Sequence, residues 1–188
     1  MRKVLIAAAS CWLAALPNVG HASRVSGGKK AALCLTCHVA KGTYFDPILD
    51  GQPPAYLIAQ LTAYKTGKRN NYGMNINAAS LSTGDIRDLA DFFASRKARP
   101  YPVFDAGKAA AGMKVLSRLP CGSCHGSDYS GEGRIARLAG QSPKYLALEI
   151  HYIRSGNRPH PASKGGDAAR TLTDENIVDV ANALASLH

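Results

Sequence analysis

The apolar positions of the chain fall into helical periods, and they do so twice. Across residues 55–66, Leu57, Ile58, Leu61 and Tyr64 share one face of a predicted helix; after Ser142 and Pro143, the residues Leu146, Ile150 and Ile153 form a matching stripe. Proline fits the first helical position because its missing N–H would be unpaired there anyway, and serine before it is a good cap. Both helices are expected to stop at a glycine, Gly67 or Gly156, followed by Lys68-Arg69 or Asn157-Arg158. Another helix follows in each half. Ser82 and Asp85 make a capping box ahead of Ile86, Leu89, Ala90 and Phe93, spaced i, i+3, i+4, i+7. Thr173 caps the second copy, where Ile177, Val180, Ala181 and Leu184 take the same offsets. Shorter helical stretches are expected at 29–33 and 106–119. No apolar–polar alternation of strand type occurs, so the expected fold class is all-α, built as two tandem domains of one internal repeat.

The punctuation of the chain sets the boundaries. Residues 1–22 read as a cleaved secretory signal: Arg2 and Lys3, an apolar run from Val4 to Leu16 broken by Pro17, and Gly20-His21-Ala22 as a small-x-small cleavage site. A lipid anchor at Cys11 would require the apolar run to end there, yet Trp12-Leu13-Ala14-Ala15-Leu16 continues it. The first domain is expected over 23–97 and the second over 105–188. Between them, residues 98–104 form a linker whose Pro100 and Pro102 favour an extended, stiff path. The expected location is the periplasm, and no later apolar run is long enough to span a bilayer.

Each half also holds one five-residue motif. Cys34-Leu35-Thr36-Cys37-His38 returns as Cys121-Gly122-Ser123-Cys124-His125. Two thiols three residues apart can both add to the vinyl groups of one haem, and the adjoining histidine then becomes a ligand of the iron. The expected cofactors are therefore two covalently bound haems c, attached through Cys34 and Cys37 and through Cys121 and Cys124, with His38 and His125 on the metal. A single zinc site shared by both cysteine pairs would leave the histidine after each pair unexplained. All four cysteines after the signal are consumed by the motifs, so no disulfide framework is expected.

Charge narrows the partners. Residues 23–100 hold eleven basic against five acidic side chains, and residues 101–188 ten against eight. No basic helix or basic–aromatic pattern accompanies this excess, which argues against nucleic acid and for an acidic protein surface or membrane-surface complexes.

Both C-x-x-C-H motifs, Gly-Gln followed by Tyr56-Leu57 or Tyr145-Leu146, the segment Tyr64-Lys65-Thr66-Gly67-Lys68-Arg69 and the closing helices together resemble the dihaem cytochromes c of the cytochrome c4 family. The resemblance covers essentially the whole chain after the signal. It implies two cytochrome c domains packed about a pseudo-twofold axis, and a carrier that moves electrons from a quinol-oxidising complex or dehydrogenase to a terminal oxidase, without enzymatic activity of its own. It also implies that Met74 is the sixth ligand of the first iron, and that the carbonyl of Pro47 orients His38.

The second half departs from that pattern. Ser163 or Gly165 stands where a distal methionine is expected, and Ala136 replaces the proline, so His125 is expected to lose part of its support. Met113 is expected in the core. His160, stiffened by Pro159 and Pro161, is the leading candidate for the sixth ligand; Lys164, or no protein ligand, are the alternatives. An open iron would favour a haem enzyme or gas-binding sensor, and a third reading is the dihaem subunit of a larger sulfur-compound or other dehydrogenase. His151 and Asp167 are expected to be solvated.

Overall fold

The computed structural model describes the backbone of residues 19–38, 45–160 and 164–188, and side chains from Arg24 onward except 164–166. Most of the expected signal segment, and Pro161, Ala162 and Ser163, lie outside the described residues. Among the described residues the elements are helical and no strand occurs. None of these helices is long and apolar enough to cross a membrane.

The first half comprises α1 (Val19–Lys30), a short 3-10 turn (Cys34–Thr36), α2 (Pro54–Lys65), α3 (Tyr72–Ala79) and α4 (Thr83–Ala94). The second comprises α5 (Ala106–Leu116), α6 (Gly122–His125), α7 (Pro143–Arg154), α8 (Lys164–Arg170) and α9 (Asp174–Ser186). The caps fall where the sequence predicts. Ser82 and Asp85 exchange side-chain and backbone hydrogen bonds at the start of α4, Ser142 accepts from the Tyr145 amide, and Thr173 accepts from that of Asn176. Gly67 and Gly156 end their helices at φ +70° and +77°, the left-handed region that glycine enters without steric penalty.

Three boundaries differ from expectation. Helix α1 spans Val19–Lys30, begins before the expected cleavage point, and ends where 29–33 was expected to be helical. Its pattern is hidden because Gly27 and Gly28 read as breakers, yet at Gly27 the backbone of α4 leaves no room for a side chain. A Cβ there would meet the Asp88 carbonyl oxygen at 2.1 Å. The repeat has its counterpart in Gly112 of α5, whose Cβ would meet the Asp179 oxygen of α9 at 2.0 Å. The other two differences are α3 and α8, which occupy segments read as loops.

Each domain has its own core. Ala31, Leu57, Leu89, Ala90 and Phe93 pack together in the first; Leu116, Leu146, Val180, Ala181, Ala183 and Leu184 do so in the second. The apolar stripes therefore meet as the repeat requires. Met113 is the exception: it is exposed on α5 rather than in the core, because the turn of helix that buries Gly112 and Leu116 carries Met113 outward.

The linker joins the halves by contact as well as by connection. Ala98 lies against Gly51 and Pro100 against Gly140, each glycine at positive φ with no room for a side chain. The amide of Tyr101 donates to the Gly140 carbonyl at 2.8 Å. Beside each glycine a buried glutamine reaches across. Gln52 donates to the carbonyl of Arg137 at 2.9 Å and accepts from its amide at 3.0 Å. Gln141 does the same to Ile48, at 3.0 Å and 2.7 Å. Two equivalent residues gripping two equivalent backbones is the signature of a pseudo-twofold interface.

Candidate haem centres

Both C-x-x-C-H motifs fold into one helical turn, which brings the two thiols and the imidazole to one place. The carbonyl of Cys34 accepts from the amides of Cys37 and His38 at 3.3 and 2.9 Å; that of Cys121 accepts from Cys124 and His125 at 3.3 and 3.0 Å. None of the four motif cysteines is in a disulfide; Cys34 and Cys121 are half-buried and Cys37 and Cys124 exposed. Burial holds the Cys34 and Cys121 thiols above their ordinary pKa.

The imidazoles are oriented alike. His38 Nδ1 lies 3.0 Å from the carbonyl of Pro47, and His125 Nδ1 lies 2.9 Å from that of Ala136. A carbonyl can only accept, so each Nδ1 bears the proton and each Nε2 lone pair is left for a metal. Burial pushes both imidazoles below their ordinary pKa, against the opposing pull of those carbonyls, and so favours the neutral, ligating form. The expected loss of support at Ala136 is thus corrected: the supporting atom is backbone, and alanine supplies it as well as proline does.

On the distal side the two halves differ. In the second half, His160 lies near His125 with ring centroids 6.2 Å apart and planes inclined by 30°. Imidazole–metal bonds of about 2.0–2.1 Å, with about 1.1 Å from each nitrogen to its ring centre, add to about 6.3 Å. Two imidazoles bonded to one metal ion from opposite sides would stand at about this separation. In the first half, Met74 is half-buried and belongs to the first turn of α3, not to an open loop. Asn71 caps that helix by accepting from the Met74 amide at 3.0 Å. Asn75 ties it back to α2, donating to the carbonyls of Tyr64 at 2.7 Å and Arg69 at 3.0 Å. The second-half counterpart of Met74 lies outside the described residues, as does the Lys164 side chain. His151 is half-exposed beside Arg154, and Asp167 is exposed.

No established family profile matches the chain. It is 30% identical to cytochrome c4 of Pseudomonas aeruginosa, over 92% of this chain and 94% of that protein. The chain belongs to the cytochrome c4 family. It is likewise 32% identical to a thiosulfate dehydrogenase electron acceptor of Thiomonas intermedia, over 99% of this chain and 91% of the relative. The crystal structure of reduced cytochrome c4 from Pseudomonas stutzeri superposes with a TM-score of 0.79 at 26% identity, covering 88% of this chain and 98% of that one. As a cytochrome c4, the chain is a dihaem electron-transfer protein with two covalently attached haem c groups and two tandem cytochrome domains.

Besides the motif residues, one cytochrome c4 side chain here fits a haem. Arg137 is 8% exposed. It donates to the carbonyls of Ala139 and Asp50, yet its Nε is buried with no partner among the described residues. A buried guanidinium with one N–H left without an acceptor suits the carboxylate of a haem propionate. The haem would supply the redox couple and the protein its ligands, donors and dry surroundings.

A second cross-domain cluster escaped the sequence reading. Arg69 pairs with Glu149 at 2.7 Å, donates to Gln60 at 2.7 Å and lies 3.3 Å from the Tyr145 hydroxyl. Arg158 pairs with the other oxygen of Glu149 and lies 3.3 Å from the Tyr56 hydroxyl. Tyr64 lies buried beneath Arg69, and that burial pushes its hydroxyl up to about 12. Its signal was present in the repeat: Arg69 matches Arg158, Tyr56 matches Tyr145, and Gln60 stands opposite Glu149.

Proposed function

We infer that this cytochrome is a periplasmic carrier with two unlike haems: the first, on Cys34 and Cys37, held between His38 and Met74, and the second, on Cys121 and Cys124, between His125 and His160. The observation that carries the reading is the separation of the His125 and His160 rings. A second imidazole stabilises Fe(III) more than a thioether does, so the second haem has the lower potential. Electrons enter at the C-terminal domain and settle on the N-terminal one. The relative that accepts electrons from thiosulfate dehydrogenase supports a dehydrogenase as donor, and the basic first half suits an acidic acceptor such as a terminal oxidase. The residues expected as a signal, 1–22, deliver the chain to the compartment where such haems are attached.

The deciding experiment is carbon monoxide addition to the fully reduced protein, paired with a redox titration that resolves the two haems. Two closed irons give no spectral change, and the C-terminal haem titrates at the lower potential. Ligand uptake at one haem, or a C-terminal haem of equal or higher potential, overturns the assignment and favours a gas-binding or enzymatic second site.

A further inference from the structure

The peptide group that supports each proximal histidine is bonded at both ends, and the second bond comes from the other domain. The Pro47–Ile48 peptide accepts from His38 Nδ1 through its oxygen at 3.0 Å and donates through its N–H to Gln141 Oε1 at 2.7 Å. The Ala136–Arg137 peptide accepts from His125 Nδ1 at 2.9 Å and donates to Gln52 Oε1 at 3.0 Å. Both glutamines are buried, Gln52 at 4% and Gln141 at 1% exposed. Each side-chain amide is held in place by its return bond, from Nε2 to the carbonyl of Arg137 or Ile48. Gln141 Oε1 also accepts from the Ser142 amide at 2.9 Å.

We propose that Gln52 and Gln141 are cross-domain positioning residues that tune the iron of the opposite domain through the peptide supporting its proximal histidine. The chain of bonds runs from imidazole N–H to peptide oxygen, through the amide, and from peptide N–H to glutamine oxygen. Bonds in such a chain polarise one another, the more so in a buried setting. An acceptor on the N–H enriches the carbonyl oxygen, which then draws harder on the imidazole proton and makes Nε2 a stronger donor to the metal. A stronger donor stabilises Fe(III), so each glutamine lowers the potential of the haem in the opposite domain. A glutamine that merely fastened the domains together would give no such crossed pattern.

The inference rests on His38 and His125 being proximal ligands, which the native reduced holoprotein tests by itself: in the diamagnetic state, each coordinated imidazole shows an Nδ1–H resonance. With those assigned in nitrogen-15-labelled protein, Gln52→Met removes the acceptor while filling similar space. The expected result is an upfield shift of the His125 Nδ1–H with that of His38 unmoved, and a rise in the C-terminal haem's potential. Gln141→Met gives the reverse. The electron-sharing equilibrium between the haems shifts by about two- to fivefold, in opposite directions for the two variants. Should either methionine variant fail to fold, Gln52→Asn or Gln141→Asn withdraws the same oxygen while keeping the site polar, with the same expected signs. Shifts in the variant's own domain, equal shifts in both domains, or no shift overturn the proposal.

Discussion

The imidazole of His160 stands 6.2 Å from that of His125, centre to centre, with the ring planes inclined by 30°. If His160 is the sixth ligand, as proposed, replacing it with alanine opens the C-terminal iron and leaves the Ala136 carbonyl that supports His125 in place. The reduced His160→Ala protein is expected to bind carbon monoxide at one haem, with the native protein unreactive. His160→Met is expected to raise the potential of that haem toward its partner's, as read by redox titration.

Met74 tests the opposite site. Its placement depends on the Asn71 cap and the Asn75 ties, so the helix survives a change at position 74 itself. Met74→His is expected to lower the potential of the N-terminal haem and abolish the thioether-to-iron absorption band of the oxidised protein. A band that persists in the variant refutes the ligation.

Glu149 holds two arginines with one carboxylate, and its counterpart Gln60 adds no charge. Glu149→Leu leaves Arg69 and Arg158 unpaired in a largely buried setting and is expected to cost about 3–5 kcal/mol in urea denaturation. Gln60→Glu places a carboxylate beside Arg69 and is expected to restore part of that loss in the double variant.

Asp85 accepts from Lys30 Nζ at 2.7 Å and from the Ser82 hydroxyl and amide. These bonds, led by that from Lys30, hold its carboxyl well below the usual range. A depressed folded-state pKa stabilises the fold above the unfolded pKa of about 3.9, and that contribution is lost as pH falls toward the folded value. Melting temperatures followed from neutral pH down to about pH 2 are expected to fall less steeply in Asp85→Asn than in the native protein.

Gly112→Ala forces a methyl group onto the Asp179 carbonyl of α9, and Gly27→Ala does the same at Asp88 of α4. Backbone cannot yield as a side chain tip can. Either substitution is expected to destabilise the protein by at least about 1–3 kcal/mol in urea, with Gly67→Ala, which has nothing nearby, costing only the strain of its positive φ.

Much of this was legible in the chain because the repeat doubles every signal. The capping residues, the apolar stripes on α4 and α9 and the two C-x-x-C-H turns each appear twice, and each was found where expected. Helix α1 was missed because its glycines serve a helix crossing, a property of the partner backbone and not of the local sequence. Helix α3 was missed because its start depends on the side chains of Asn71 and Asn75 bonding to neighbouring backbone, which apolar periodicity does not register. The support of His125 was misjudged at Ala136 because residue identity was allowed to stand for a carbonyl oxygen that any residue provides.

The reciprocal glutamine contacts have the form of a homodimer interface drawn into a single polypeptide. Two separate domains with these contacts would associate by mass action and fall apart on dilution. Tethered by a linker that itself lies against Gly51 and Gly140, each domain meets its counterpart at an effective concentration fixed by the chain. The two haem-binding domains therefore stay paired however few molecules the compartment contains.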